Sequence, residues 1–130
     1  MSDRNAAFDG PGPDEVFLGY LKEGKLAIQR CRKADRCFFP PRVISPFSGT
    51  ADIEWIEVSG RGTVYTTTVI RRKPERGGNY NVAMIDLEEG GRIMSRVEGV
   101  APEDVKIGMA VTARIAEGED GEPVVLFDPA

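Results

Sequence analysis

Hydrophobic positions follow a helical spacing near the start of the chain. Phe17, Tyr20 and Leu21 recur on one helix face, after the helix-start pattern of a proline and two acidic residues at 13–15. Gly24 predicts the end of this helix. A helix this short is marginal alone and needs a tertiary partner. Its apolar stripe therefore either packs on the rest of this protein or docks onto another one.

Residues 25–52 change to a strand-like pattern. Apolar and polar positions alternate from residue 26 to 31, a polar turn follows at 33–36, and a short apolar strand occupies 37–39. Two prolines end that strand, and a second turn lies at 45–49. Two tight turns on two short strands are the outline of a rubredoxin-like zinc ribbon.

The pattern is all-β from residue 53 onward. Residues 53–58 and 63–70 are interpreted as one long strand that Gly60 and Gly62 bend. Further strands are predicted at 82–87, 92–97, 110–116 and 123–127, with a hairpin at 90–91 and a helical turn at 102–105. Five strands in this succession favour a closed OB barrel over a sandwich fragment, which would have exposed edges.

These patterns predict a mainly β protein with an N-terminal helix. The predicted divisions are a disordered leader over 1–12, the helix and ribbon-shaped module over 13–52, and the barrel over 53–130.

The composition limits the chemistry. Histidine is absent, which excludes Ser-His-Asp and Cys-His nucleophile systems within the chain, and no paired-carboxylate motif stands out. We therefore expect a protein that is not an enzyme. The net charge of −4 argues against general nucleic-acid binding. No apolar run approaches the roughly 18 residues of a membrane span, so we expect a cytoplasmic protein with no membrane partner. Its two cysteines, Cys31 and Cys37, are expected as free thiols, with a disulfide between them left open.

Several segments together carry a family resemblance that covers residues 16–128. They are Arg-Cys-Arg-Lys-Ala at 30–34, Phe-Phe-Pro-Pro-Arg at 38–42, Ser-Pro-Phe-Ser-Gly at 45–49, Ile-Glu-Trp at 53–55, Ser-Gly-Arg-Gly-Thr-Val-Tyr at 59–65 and Glu-Asp-Val-Lys-Ile-Gly-Met-Ala-Val at 103–111. In this order they resemble the acyl-CoA-associated zinc-ribbon and OB-fold family known as domain of unknown function 35.

The resemblance implies four cysteine ligands in two Cys-x2-Cys pairs. The corresponding positions here are Cys31, Ala34, Ser45 and Ser48, so one thiolate of four remains. A structural zinc site needs four thiolate, imidazole or carboxylate ligands. We therefore predict a degenerate ribbon without zinc, its space filled by apolar side chains: Phe38, Phe39, Pro46 and Phe47.

The resemblance also implies an accessory role beside a thiolase-like or related acyl-CoA enzyme, with CoA or acyl-CoA as a candidate ligand. A homo-oligomer is left open. The alternative hypothesis is a single-strand nucleic-acid binder, a common use of OB barrels.

Arginines and a lysine are the candidate contacts for CoA phosphates, because guanidinium groups pair with phosphate in bidentate fashion. The candidates are Arg42, Arg61, Arg71, Arg72 and Lys73, with Arg76 in the same loop as the last three. Each has a structural alternative: an ion pair to Glu54 or Glu57 for Arg42, a backbone hydrogen bond for Arg61, and a solvated hairpin tip for the loop. Trp55 and Tyr65 are interpreted mainly as barrel-wall aromatics.

Overall fold

The computed structural model describes residues 12–130, which form one helix and two β-sheets. The elements are α1 (Pro13–Lys22), β1 (Ala27–Cys31), β2 (Arg36–Phe38), β3 (Ile53–Glu57), β4 (Arg61–Ile70), β5 (Tyr80–Leu87), β6 (Arg92–Ser95), β7 (Ala110–Glu117) and β8 (Pro123–Pro129). Short 3₁₀ turns lie at Pro74–Arg76 and Pro102–Asp104. The leader predicted over residues 1–12 lies, up to residue 11, outside the described residues.

The predicted helix is confirmed as α1. Proline occupies its first turn together with Asp14 and Glu15, whose charges suit the positive end of the helix dipole. Gly24 ends it with a φ of 80°, which lets the N–H of Lys25 reach the carbonyl of Tyr20 at 2.9 Å. Among the described residues, no helix combines the length and apolar character that crossing a bilayer would require.

The smaller sheet has the antiparallel order β2-β1-β3. Ile28 of β1 lies opposite Ile56 of β3, so Ile53–Glu57 belongs to this sheet. The prediction of one bent barrel strand over residues 53–70 is wrong in this respect. The periodicity of a segment shows that it is a strand but not which sheet it joins.

The larger sheet has the order β6-β5-β4-β7-β8 and curls into the predicted five-stranded OB barrel. β4 pairs with both β5 and β7, and a bulge interrupts its ladder between Val64 and Thr66. The barrel closes where the segment after β6 meets β8. There, Phe127 donates to the carbonyl of Arg96 at 3.0 Å and accepts from the N–H of Glu98 at 2.7 Å.

The barrel interior is apolar. Alternate residues of β5 are buried, and they pack with side chains from the other strands: Val64, Ala83, Ile85, Leu87, Ile93, Val97, Val111 and Phe127. Asn81 is the buried exception in β5, and its side chain accepts a hydrogen bond from the N–H of Val97 at 3.2 Å and donates to Thr67 and Thr68. These bonds satisfy the amide and fix the start of the closing segment.

Candidate functional site

The four positions predicted as degenerate zinc ligands converge at one corner of the smaller sheet. Cys31 is fully buried at the end of β1. Its Sγ accepts a hydrogen bond from the N–H of Ala34 at 3.4 Å and lies 3.5 Å from the Oγ of Ser48. The buried Oγ of Ser45 accepts from the N–H groups of Phe47 at 3.1 Å and Ser48 at 3.3 Å. The two turns therefore face each other across the single remaining thiol.

Hydroxyl groups change the acidity of that thiol. The hydroxyl of Ser45 makes the largest contribution and that of Ser48 the second largest to lowering the pKa of Cys31 to about 7. A hydroxyl that bonds to sulfur has this effect because it stabilises the thiolate. Between residues 12 and 130, no group of three or more His, Cys, Asp or Glu side chains could hold a metal ion. The loss of zinc itself stays a prediction.

The two cysteines lie on opposite faces of the sheet. β1 and β2 pair Cys31 with Arg36 and Arg30 with Cys37, and paired residues of antiparallel strands share a face. Both thiols are free, and this register does not allow a disulfide between them. Burial raises the pKa of Cys37, which faces the barrel.

A groove of about 380 Å³ lies where β2 meets the β5–β6 hairpin. The hairpin turn touches the edge of β2 through glycines. A Cβ atom on Gly90 would lie 3.3 Å from the Cβ of Cys37, and one on Gly91 would lie 3.3 Å from the backbone of Phe38. Both glycines have positive φ, so larger residues would be strained here as well as crowded. The groove thus spans the junction between the two sheets.

Arg42 lies on this groove with its backbone clamped. The side chain of the buried Gln29 donates from Nε2 to the carbonyl of Arg42 and accepts from its N–H at Oε1, both at 2.6 Å. The guanidinium of Arg42 has no ion pair within residues 12–130. Glu54, one of its two predicted partners, pairs instead with Arg30 at 2.5 Å and Arg32 at 3.4 Å.

Two further arginines line the groove, and sequence patterns did not single them out. The guanidinium of Arg36 lies 4.0 Å from the ring centroid of Phe47. Arg92 bonds Asp86 at 2.6 Å and stacks 3.4 Å from the ring centroid of Tyr65. Gln29 was missed as well. A glutamine that directly follows two buried apolar residues of the strand was the signal that could have pointed to it.

The other candidate phosphate contacts lie elsewhere. Arg61 begins β4 and pairs with Glu88 at 2.9 Å, whereas Arg71 follows the last residue of that strand. A ten-residue strand is about 30 Å long, so Arg61 and the loop that starts at Arg71 are at opposite ends of the barrel. The five predicted contacts therefore do not form one site.

The loop at 71–76 is partly folded on itself. Arg72 donates from Nε to the carbonyl of Gly78 at 3.3 Å and stacks on Tyr80, which also carries Arg96 within 4.9 Å of its ring centroid. The remaining cations of the loop are exposed and make no ion pair with another described residue: Arg71, Lys73 and Arg76.

The apolar face of α1 packs on this protein itself. Phe17 contacts Phe39 with ring centroids 5.2 Å apart, and Tyr20 contacts Trp55 at 5.6 Å. Leu21 is buried. Of the two readings left open by the sequence, the described residues therefore support internal packing for this stripe.

Comparison with known proteins places these features in context. The family model described as "ChsH2, C-terminal OB-fold domain" matches residues 55–116. A DUF35 domain-containing scaffold protein of Methanocaldococcus jannaschii is 42% identical over 111 residues, which cover 78% of this chain and 79% of that protein.

Two further matches have names that refer to an enoyl-CoA hydratase and to an aldolase. A probable enoyl-CoA hydratase alpha subunit of Thermomonospora curvata is 32% identical over 84% of this chain, but the match spans 35% of that protein. Among solved structures, a chain of a Ltp2-ChsH2(DUF35) aldolase superposes with a TM-score of 0.79 at 28% identity, covering 93% of this chain and 97% of that one.

Proposed function

This chain belongs to the DUF35 family, and from that premise we propose that it is a cytoplasmic, non-catalytic subunit that binds to an acyl-CoA enzyme of the thiolase-like or a related class. The observation that carries the proposal is the match, over almost the full length of both chains, to a chain of an aldolase complex. The name of the archaeal relative, a scaffold protein, supports the non-catalytic role.

Two features of the chain itself support the same reading. The sequence contains no histidine, and burial raises the pKa of Cys37, the thiol that lines the groove, which makes it a poor nucleophile. The chain spans about a third of the hydratase alpha subunit that it resembles, so the activity of that enzyme is not carried over.

CoA or acyl-CoA is the proposed small ligand. Arg42 is the best supported of the predicted phosphate contacts, because its backbone is fixed and its guanidinium has no carboxylate partner among the described residues. Arg71, Arg72 and Lys73 remain candidates for a separate contact at the far end of β4, and Arg61 is the least supported because Glu88 neutralises it.

A pull-down from the native cell tests the subunit role. The tagged chain is purified at low and high salt, and the mass of each complex is measured by size exclusion with light scattering. We expect one acyl-CoA enzyme in a fixed ratio. A chain that elutes alone or only as a homo-oligomer would contradict the proposal, and so would turnover of acyl-CoA by the pure chain.

Single-stranded nucleic acid is the less supported ligand. Binding of this kind uses exposed aromatic faces in a positive groove. Arg92 covers one face of Tyr65, and Arg72 and Arg96 both stack on Tyr80. Fluorescence anisotropy with oligonucleotides at low salt should show no saturable binding.

A further inference from the structure

We propose that the groove between β2 and the β5–β6 hairpin binds a diphosphate or phosphomonoester through Arg36 and Arg42. This inference deepens the proposed function, and it depends on that function only for the identity of the phosphate-bearing molecule, which would be CoA.

The backbone of Arg42 is already fixed before any anion binds. Side-chain amides that bond both the N–H and the carbonyl of one residue fix its backbone, and here Gln29 is almost completely buried while it does so. The amide of Gln29 thus holds the segment that follows the two prolines, and the starting position and direction of the Arg42 side chain are fixed. Less conformational freedom is then lost when an anion binds.

The side chains that line the groove carry a net positive charge. Three guanidinium groups and one carboxylate, that of Asp86, line it, in a protein whose net charge is −4. Asp86 is engaged by Arg92, so Arg36 and Arg42 are the two cations of the groove that lack a carboxylate partner within the described chain. Two guanidinium groups that lack a carboxylate partner among residues 12–130, in one groove, match the two negative charges of a phosphate ester.

Aromatic side chains lie beside these cations in the groove. Phe38, Phe39 and Phe47 line the same groove, and the guanidinium of Arg36 lies 4.0 Å from the ring centroid of Phe47. In the loop at 71–76, by contrast, Arg72 is turned back onto Tyr80 and the other cations are exposed. The groove is therefore suited to a phosphate that is attached to an organic group.

Calorimetric titration with pyrophosphate tests the inference on the isolated full chain. We expect saturable binding that weakens about tenfold in Arg36→Gln and in Arg42→Gln, since each removes a charge-assisted hydrogen bond, and binding below detection in the double variant. Lys33→Gln is the control, because Lys33 is exposed, makes no ion pair within residues 12–130 and does not line the groove. This variant should bind as the unmodified chain does. Neither groove side chain makes an ion pair within residues 12–130, so unchanged melting temperatures would show that the variants are folded.

Further ligands separate the possible sources of the phosphate. CoA and dephospho-CoA should both compete with pyrophosphate, whereas pantetheine, which lacks phosphate, should not. Absence of pyrophosphate binding at millimolar concentration would overturn the inference, as would full binding by the double variant or an equal loss in Lys33→Gln. The pull-down described above uses no phosphate ligand, so its failure is distinguishable from failure at this groove.

Discussion

The Sγ of Cys31 lies 3.5 Å from the Oγ of Ser48, although these residues are 17 positions apart in the sequence. A thiol and a hydroxyl thus occupy opposite sides of a corner where the resemblance implies metal ligands. Neighbouring contacts hold the two turns in place. The Oγ of Ser48 bonds the Oγ1 of Thr50 at 2.8 Å, and Phe38 meets Phe47 edge-on with ring centroids 6.0 Å apart.

Restoring three cysteines should create a zinc site. The triple variant Ala34→Cys, Ser45→Cys and Ser48→Cys places four thiols around a corner that is already formed. We expect one bound zinc per chain and a higher melting temperature in the presence of zinc, because metal that binds only the folded state stabilises it. Elemental analysis and thermal melts with and without a chelator measure both effects.

The double variant Ser45→Cys and Ser48→Cys is the control, since it supplies only three thiols. We expect weaker metal retention from it than from the triple variant. Stoichiometric zinc in the unmodified chain would show that the corner holds metal with a single cysteine, contrary to the prediction made from the sequence.

The titration of Cys31 should depend on the two serines. Its pKa is lowered from 9.0 to about 7 by the hydroxyls, so Ser45→Ala should move the pKa back up. Because the pKa of Cys31 is lower in the folded state than in the unfolded state, the thiolate stabilises the fold. This stabilisation is fully present above the unfolded pKa near 9 and is lost as the pH falls through about 7. Thiolate absorbance and urea unfolding between pH 6 and 9.5, in a Cys37→Ser background, measure the two effects. Identical thiol titrations with and without Ser45→Ala would contradict this account.

Gln29 should matter for stability more than Arg42 does. Gln29→Leu removes two hydrogen bonds to the backbone of Arg42 and leaves both backbone groups without their partner, which should destabilise the fold by about 2 kcal/mol. Arg42→Gln keeps those backbone bonds and should change stability by less than about 0.5 kcal/mol. Urea unfolding of both variants measures the difference, and equal effects would show that the clamp is not a stabilising contact.

Arg114 should set the acidity of Asp128. The guanidinium donates to both carboxylate oxygens of Asp128, at 2.8 and 3.2 Å, and to Glu98 at 2.9 Å. It lowers the pKa of Asp128, so this contribution to stability is present above the ordinary pKa of an aspartate and is lost as the pH falls through the lowered value.

Arg114→Gln should therefore raise the pKa of Asp128, as observed by carboxyl NMR, and the stability difference from the unmodified chain should shrink toward pH 2. The effect on stability will be small, because the pair is more than one-third exposed. Arg96→Gln, which touches Glu98 but not Asp128, should leave that pKa unchanged.

Local patterns were sufficient for most of the fold. The helix end at Gly24, the strand over residues 82–87 and the hairpin glycines at 90–91 were predicted, because these signals depend on neighbouring residues. The assignment of β3 failed for the opposite reason. Its partner, β1, lies more than twenty residues earlier, and pairing over that separation is not encoded in a local period.

The candidate site shows the same division. Arg42 stood out because it follows two prolines, but Arg36 and Arg92 reach the groove only through the contact of β2 with the β5–β6 hairpin. The ribbon positions could be aligned from the spacing of Cys31 and the serines, together with the resemblance. The separation of Arg61 from Arg71 required the length of β4, which connects the two ends of the barrel.

The pairing of β3 with β1 decides how this protein can be divided by truncation. The N–H of Val58 bonds the carbonyl of Leu26 at 2.9 Å, so the ladder of the smaller sheet continues to within two residues of Gly60. A barrel fragment that begins at residue 53 would carry β3 without its partner β1, and an unpaired strand edge is a template for aggregation. In the other fragment, β1 would lose its hydrogen bonds to β3. Grafts between family members should therefore exchange segments at Ser59–Gly60, where no strand is severed.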